Sequence, residues 1–314
     1  MKVRHLLSIN DLDPNTLCYL VDKSLAIAKG EMEKARPLAG QIVGIYFRRP
    51  STRTRTAFTS GALRLGAQTV AYGPNDLQLV TGETISDTGR VLSGFLDALV
   101  VRTNDTLSEM LALAEQNKMA VINAMSENEH PTQAIADLVT IKEALGRLSD
   151  VHVMYIGEGN NTAVALALAI ARLRGMQLTL VTPEGYGLPD SALRAAQELA
   201  DHHGASVSQK HCLSDLPRNV DVVYTTRWQT MGMPKADSDW LTKFEPYRVT
   251  PSLMRQVSKS SGTIFLHDLP AIRGSEVVNE VLDGPQSLAF RQAYHKMTSA
   301  MSILMWSMVR AVEV

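Results

Sequence analysis

Five consecutive residues, Ser51-Thr52-Arg53-Thr54-Arg55, bring two guanidinium groups and three hydroxyls into little more than one turn of chain. Directly before them, Gln41-Ile-Val-Gly-Ile-Tyr-Phe47 is an apolar run rich in β-branched and aromatic residues, the pattern of a buried strand. Ser51 is the candidate N-cap, and Thr52–Leu63 reads as the helix it starts. A strand that turns into a helix N-terminus aims free backbone N–H groups and the positive end of the helix dipole at one place. Arginines and hydroxyls added there suit a phosphate. A lone Ser-x-Arg fits a capped surface helix with solvated arginines equally well, but five such residues behind a strand favour the phosphate cradle.

Two further segments carry polar chemistry at element ends. Ala98-Leu-Val-Val-Arg102 is a strand finishing in a cation, which puts Arg102 at the carboxyl edge of a sheet, where α/β proteins bind ligands. His130-Pro-Thr-Gln133 opens an amphipathic helix that continues through Ala134, Ile135, Leu138, Ile141 and Leu145. On its own, a histidine before proline at a helix start is more often a cap or a packing residue.

The composition narrows the field. A chain of 314 residues has room for two domains of ordinary size. Formal charge is −1, so no global basic field recruits nucleic acid or an anionic membrane, and anion affinity has to be local. Cys18 and Cys212 stand far apart in no metal-ligand spacing, which fits a reduced compartment. The N-terminus has no signal-peptide pattern, and no apolar run is long enough to span a bilayer. The expectation is a cytoplasmic protein without metal or cofactor.

The elements that must position these groups alternate. A helix is expected over 14–35, strands at 41–47 and 69–72 around the helix from 52, an exposed loop at 73–84, and a helix over 85–95. The strand 98–102, a helix over 105–116, the strand 120–124 and the helix from 130 follow. Gly146-Arg-Leu-Ser-Asp150 is a polar break, after which strands at 151–156, 178–181, 220–224 and 263–266 alternate with helices at 162–174 and 190–203. A final apolar helix is expected over 287–312. Strand–helix–strand alternation implies parallel sheets with right-handed crossovers. The fold class is therefore α/β, with two doubly wound parallel-sheet domains joined by helices and a C-terminal helix packing back on the N-terminal domain. The domains are read as 1–147, 148–286, and 287–314 for the returning helix.

Ser-Thr-Arg-Thr-Arg, then Arg102, then His130-Pro-Thr-Gln133, in that order and at those separations, resembles the carbamoyltransferases typified by aspartate and ornithine carbamoyltransferase. In that family the first motif grips the phosphate of carbamoyl phosphate. The resemblance implies phosphate contacts from Ser51, Thr52, Arg53, Thr54 and Gln78, with Arg55 supporting the turn. It places Arg102, His130 and Thr54 on the carbamoyl oxygen and Gln133 on the amide nitrogen, so that Arg53, Arg102, His130 and Gln133 form the catalytic set. The family's Leu-Pro bond is cis, and Leu269 would then accept from the carbamoyl NH2 through its carbonyl. Lys296 stands where ornithine enzymes carry a substrate-binding arginine, offering a point charge rather than a fork. Gln78 sits on a loop that, in the family, reaches into a neighbouring subunit's site, which implies a homotrimer with shared sites.

The second-substrate segments are mixed. Gly157-Glu-Gly-Asn-Asn161 lacks the glycine at 162 that a dinucleotide fingerprint needs, and Thr162 stands there. The turn instead resembles the Gly-Asp-Gly-Asn-Asn of ornithine enzymes, which implies that Asn161 holds an amino acid's α-carboxylate. Thr225-Thr-Arg-Trp-Gln-Thr-Met-Gly232 keeps the Trp, Met and Gly of the ornithine-type Asp-x-Trp-x-Ser-Met-Gly, with Thr230 for Ser and Thr226 for Asp. It also looks like the aspartate-type Thr-Arg-Val-Gln, whose Arg and Gln bind carboxylates. His267-Asp268-Leu269-Pro270 matches neither the ornithine His-Cys-Leu-Pro nor the aspartate His-Pro-Leu-Pro. Candidate contacts to the second substrate are Asn161, Thr226, Arg227, Gln229, Thr230, Met231 and Asp268, with Asp268 read as a specificity element that binds the acceptor's ammonium.

The implied activity moves a carbamoyl group from carbamoyl phosphate to the distal amine of ornithine or a related diamino acid. Lysine and shorter diamino acids remain open as acceptors. The alternatives are aspartate carbamoyltransferase-like chemistry, and a catalytically silent homologue that binds carbamoyl phosphate.

Overall fold

A computed structural model describes residues 3–31, 36–103, 105–229 and 235–309. The chain divides into two compact units, residues 1–139 with 294–314, and residues 140–293.

In the first unit, α1 (Pro14–Ala28) is capped by Asp13, whose carboxylate accepts from the Asn15 and Thr16 N–H groups, with proline at the first helical position. It ends well before residue 35, because Lys29 closes it and Gly30 follows at φ 88°. Residues 32–35 lie outside the described set. Then come β1 (Ile42–Phe47), α2 (Arg53–Arg64), β2 (Gln68–Tyr72), α3 (Ile85–Leu92), β3 (Ala98–Arg102), α4 (Leu107–Ala114), β4 (Ala120–Met125) and the first part of α5 (Pro131–Leu145), whose residues from 140 onward are counted with the second unit. All pairings are parallel, in the order β2-β1-β3-β4. The chain thus winds from β1 outward to β2, then returns to the other side of β1 for β3 and β4. The loops after β1 and β3 leave the sheet at this reversal, where a doubly wound fold opens a crevice at the strands' carboxyl ends. β3 and β4 are buried along their whole length, which explains their uninterrupted apolar sequence.

The second unit repeats the logic with β5 (His152–Ile156), α6 (Asn161–Ile170), β6 (Gln177–Val181), α7 (Asp190–His203), β7 (Ser206–Lys210), β8 (Val222–Thr225), α8 (Trp240–Phe244), α9 (Pro251–Val257), β9 (Ile264–His267) and α10 (Asn279–Leu282). The parallel order is β7-β6-β5-β8-β9, so the reversal lies between β5 and β8. The core of this sheet gathers Met154, Ile156, Val223 and Phe265 with Val249 and Val277. β7 escapes the sequence reading because Ser-Val-Ser-Gln-Lys has a single apolar residue; it is an edge strand held by its backbone pairing to β6.

The last helix, α11 (Ala289–Met308), packs on the first unit as expected from its apolar content. Ser302 donates to the Leu20 carbonyl at 3.0 Å, and Gly61 of α2 lets Met301 approach so closely that a Cβ there would meet its Cγ at 3.0 Å. Among the described residues, no helix is long and apolar enough to cross a membrane.

Candidate active site

In the first unit the sequence-predicted groups converge on the reversal between β1 and β3. Phe47 and Arg102 are register partners at the ends of those strands, and the Arg48 N–H donates to the Arg102 carbonyl at 3.0 Å. Arg102 itself is 7% exposed and donates through Nη1 to Ser51 Oγ at 3.2 Å. This corrects one expectation. Ser51 does not cap α2; Thr52 occupies the cap position in helical conformation and makes no side-chain cap hydrogen bond, because the serine hydroxyl has turned to the arginine. The first-turn N–H groups of α2 are thereby not taken up by a cap side chain, the condition under which a helix N-terminus offers donors to an anion.

Arg55 turns to the strand. Its Nη2 donates to the Phe47 carbonyl at 3.4 Å and its guanidinium lies 5.4 Å from the Phe47 ring centre, so it folds back on the strand it follows. Arg53 is half-buried in the first turn of α2, and Thr54 is buried. Arg48 reaches the carboxylates of Asp105 and Glu109 and so ties the loops after β1 and β3 together. Burial pushes the Glu109 carboxyl up, and a hydrogen bond from Thr103 and the charge of Arg48 oppose that rise.

The loop after β4 brings His130 to the same unit. A register shift between β3 and β4 pairs Arg102 with Met125, and a bulge of this kind re-aims the side chains that follow it. Glu129 anchors the loop, with its carboxylate accepting from Ser8 Oγ and the Ile9 N–H, both at 2.6 Å. The His130 carbonyl then accepts from Gln133 N at 3.0 Å as α5 begins. The His130 ring is buried and lies 3.4 Å from Thr132 Oγ1 through Nδ1. Burial, then the charges of Lys296 and Arg102, hold its pKa well below the usual histidine range, so the imidazole is neutral and suited to donating a hydrogen bond to an oxygen. Thr54, Phe58, His130, Thr132, Gln133 and Lys296 line one small cavity. Gln78 stands apart, exposed, with its amide oxygen accepting from Thr81 Oγ1 at 2.7 Å within a short 3-10 turn over Gln78–Thr81.

In the second unit the turns after β5, β8 and β9 meet at the corresponding reversal. The tight turn after β5 needs its glycines: Gly157 has φ 126°, and a Cβ on Gly159 would lie 2.3 Å from the Gly187 backbone. Asn160 caps α6 through Oδ1, which accepts from Thr162 and Ala163, while its Nδ2 donates to Thr226 Oγ1 at 3.4 Å. Asn161 is the first helical residue and is buried. Asp268, just past β9, accepts from Thr226 at 3.0 Å on Oδ1 and from Thr162 at 3.1 Å on Oδ2. Its side chain remains 16% exposed.

His267 Nδ1 lies 3.5 Å from Asp268, yet that nitrogen accepts the Leu269 N–H at 2.8 Å while Nε2 faces Glu276 at 3.2 Å. The proton therefore sits on Nε2, and the short separation from Asp268 is not an ion pair. Among the described residues Asp268 has no cationic partner. The Leu269–Pro270 bond is cis, as expected, and Leu269 has φ 53°. Trp228 is buried against Phe244, Arg227 and Gln229 are partly exposed, and among the described residues the Arg227 Nε has no hydrogen-bond partner. Thr230 and Met231 lie outside the described residues.

Sequence reasoning missed Lys235 and Glu158. They form a salt bridge, and the lysine ammonium lies 4.6 Å from the Tyr186 ring, 4.8 Å from Phe244 and 5.5 Å from Trp240. No motif marks this cage, because its members come from four separate segments. Thr162, noted only as the residue that spoils a dinucleotide fingerprint, turns out to be a donor to Asp268.

Comparison with known proteins finds matches over nearly the whole chain. The family model described as aspartate/ornithine carbamoyltransferase, carbamoyl-P binding domain, matches residues 4–143, and the Asp/Orn binding domain of the same family matches residues 149–307. An ornithine carbamoyltransferase of Caldicellulosiruptor saccharolyticus is 38% identical over 307 residues, covering 97% of this chain and 98% of the relative. One of Haloquadratum walsbyi is 39% identical over 311 residues, covering 96% and 97%. The solved ornithine carbamoyltransferase of Pyrococcus furiosus superimposes with a TM-score of 0.91 at 33% identity, covering 98% of this chain and 97% of that one.

Proposed function

The chain belongs to the aspartate/ornithine carbamoyltransferase family, and on that premise we propose that it transfers the carbamoyl group of carbamoyl phosphate to the distal amine of ornithine, releasing phosphate. Carbamoyl phosphate is a mixed anhydride with its leaving group built in. The protein need supply neither nucleophile nor metal, only a grip on the phosphate, polarisation of the carbonyl, and an oriented amine.

The first unit supplies the grip and the polarisation. The first turn of α2, with Ser51, Thr52, Arg53 and Thr54, holds the phosphate. Arg102 and His130 donate to the carbamoyl oxygen, where negative charge grows as the amine nitrogen attacks the carbon. The acceptor's ammonium loses one proton to solvent before the attack; the C–O bond to phosphate then breaks, the electron pair leaves with phosphate, and the departing phosphate takes the nitrogen's second proton. A neutral His130 serves this purpose, since an imidazole that only donates a hydrogen bond need not titrate.

The second unit selects the acceptor. Asp268 carries the choice of an amine-bearing side chain: it is a partly exposed carboxylate, held by two hydroxyls and, among the described residues, without a Lys or Arg partner. The same carboxylate disfavours aspartate, whose side chain repeats its charge. Asn161 and Arg227 are assigned to the acceptor's α-carboxylate. Gln78 acts in the site of an adjoining protomer, so the working form is a homotrimer in the cytoplasm. A mass screen of ornithine, lysine, 2,4-diaminobutyrate, 2,3-diaminopropionate and aspartate with carbamoyl phosphate tests this reading. Carbamoyl-ornithine is the expected main product; carbamoyl-aspartate as the main product overturns it.

A further inference from the structure

Gln133 is held from both ends. Its Nε2 donates to Asp137 Oδ1 at 2.6 Å, one turn along α5, and its Oε1 accepts from the Nζ of Lys296 on α11. A carboxylate can only accept and a lysine head can only donate, so the two neighbours fix which end of the glutamine amide is which. All three side chains are nearly or fully buried, and Gln133 and Lys296 border the cavity lined also by Thr54 and His130.

We propose that Lys296 is a positioning residue which, with Asp137, locks the Gln133 amide oxygen toward the donor substrate and so makes the site select a carbamoyl over an acetyl phosphate. The inference rests on the carbamoyl phosphate reading above. The two acyl phosphates have the same shape and charge and differ by NH2 against CH3. Only the NH2 can donate a hydrogen bond, and the Gln133 oxygen keeps a second lone pair for it once Lys296 has taken the first. A free glutamine amide could flip and present its own NH2 group, which would meet the carbamoyl nitrogen donor to donor. The cation prevents that flip. A site built to accept from a substrate N–H discriminates strongly against an analogue that lacks it, because its buried acceptor is left unpaired. The Lys296 ammonium thus acts through the glutamine rather than as the direct point-charge contact to the substrate that the resemblance implied.

The test compares carbamoyl phosphate and acetyl phosphate on the full-length protein, one as substrate and the other as a competitive inhibitor. Lys296→Met keeps the length and apolar stem and removes the donor. Wild type should prefer carbamoyl phosphate by roughly 100-fold or more, and Lys296→Met should cut that preference at least about tenfold by raising the KM for carbamoyl phosphate alone. The acetyl phosphate Ki and the affinity for inorganic phosphate should hold, and Lys296→Arg, which restores a donor, should recover the preference. Asp137→Asn provides a second variant, since its amide can present either end to Gln133. An unchanged preference in both Lys296→Met and Asp137→Asn overturns the inference, as does equal weakening of both acyl phosphates. A wild-type protein that turns over no carbamoyl phosphate contradicts the proposed function itself, a result distinct from either.

Discussion

Thr226 donates its hydroxyl to Asp268 Oδ1 across 3.0 Å, so the residues that follow β8 and β9 share one hydrogen bond. Thr162, at the start of α6, donates to the other carboxylate oxygen. Three separate turns therefore fix one carboxylate at the carboxyl edge of the second sheet, where the proposed function places the acceptor's ammonium. Asp268→Asn keeps the shape and loses the charge. We expect the KM for ornithine to rise roughly 10- to 100-fold, the range of a hydrogen bond to a charged group. Inhibition by norvaline, which lacks the distal amine, should change by less than about twofold, because no charge–charge contact is lost. Initial-rate kinetics with both compounds checks this; equal losses for the two would remove Asp268 from specificity.

His130 gives a pH dependence of stability. Its pKa in the folded protein lies well below the unfolded value of about 6.5, because burial and two neighbouring cations oppose its charge. Above that value both states carry a neutral ring, and the stabilisation is complete. As pH falls below it, the unfolded chain binds the proton first and the folded state loses ground. Denaturant midpoints should therefore fall between pH 7 and pH 5 more steeply in wild type than in His130→Gln. Parallel profiles would show that the ring is not held neutral.

The cage around Lys235 makes a structural prediction. Lys235→Ala removes a buried cation, leaves Glu158 beside the turn after β5 without it, and strips three ring contacts, a loss of about 3 kcal/mol. Thermal or urea unfolding of the variant measures it. Glu158→Gln alone should cost less, since the rings still face the lysine.

Much of this was legible in the chain. β1, β3, β4, β5, β8 and β9 are buried through most of their length and read as apolar runs, and the motif at 51–55 lies where strand gives way to helix. What the sequence hid was direction. Ser51 has the residue type of a cap, yet its hydroxyl serves Arg102, a partner 51 residues away that no local pattern reveals. Asp268 read as a departure from two known motifs, and only the folded turns show Thr162 and Thr226 holding it. Gln133 and Lys296 meet across 163 residues. Short helices such as α8 and α10 fall below the length at which periodicity can be read.

The shared-site proposal has its own check. Arg53→Ala and Gln78→Ala, each inactive alone, should regain activity when unfolded together and refolded, because some hybrid sites then carry both wild-type residues. Random assembly of a cyclic trimer would restore up to about a quarter of wild-type activity. No recovery in a mixture shown to form hybrids would place Gln78 outside the site.

The most direct measurement is release of inorganic phosphate from carbamoyl phosphate with and without ornithine, in wild type and in Arg102→Met. In wild type we expect release that depends on ornithine and equals, mole for mole, the carbamoyl-ornithine formed. In Arg102→Met we expect kcat roughly 100- to 1,000-fold lower, the loss typical of removing one donor to a developing oxyanion. Phosphate release indifferent to ornithine, or undiminished without Arg102, would contradict the account.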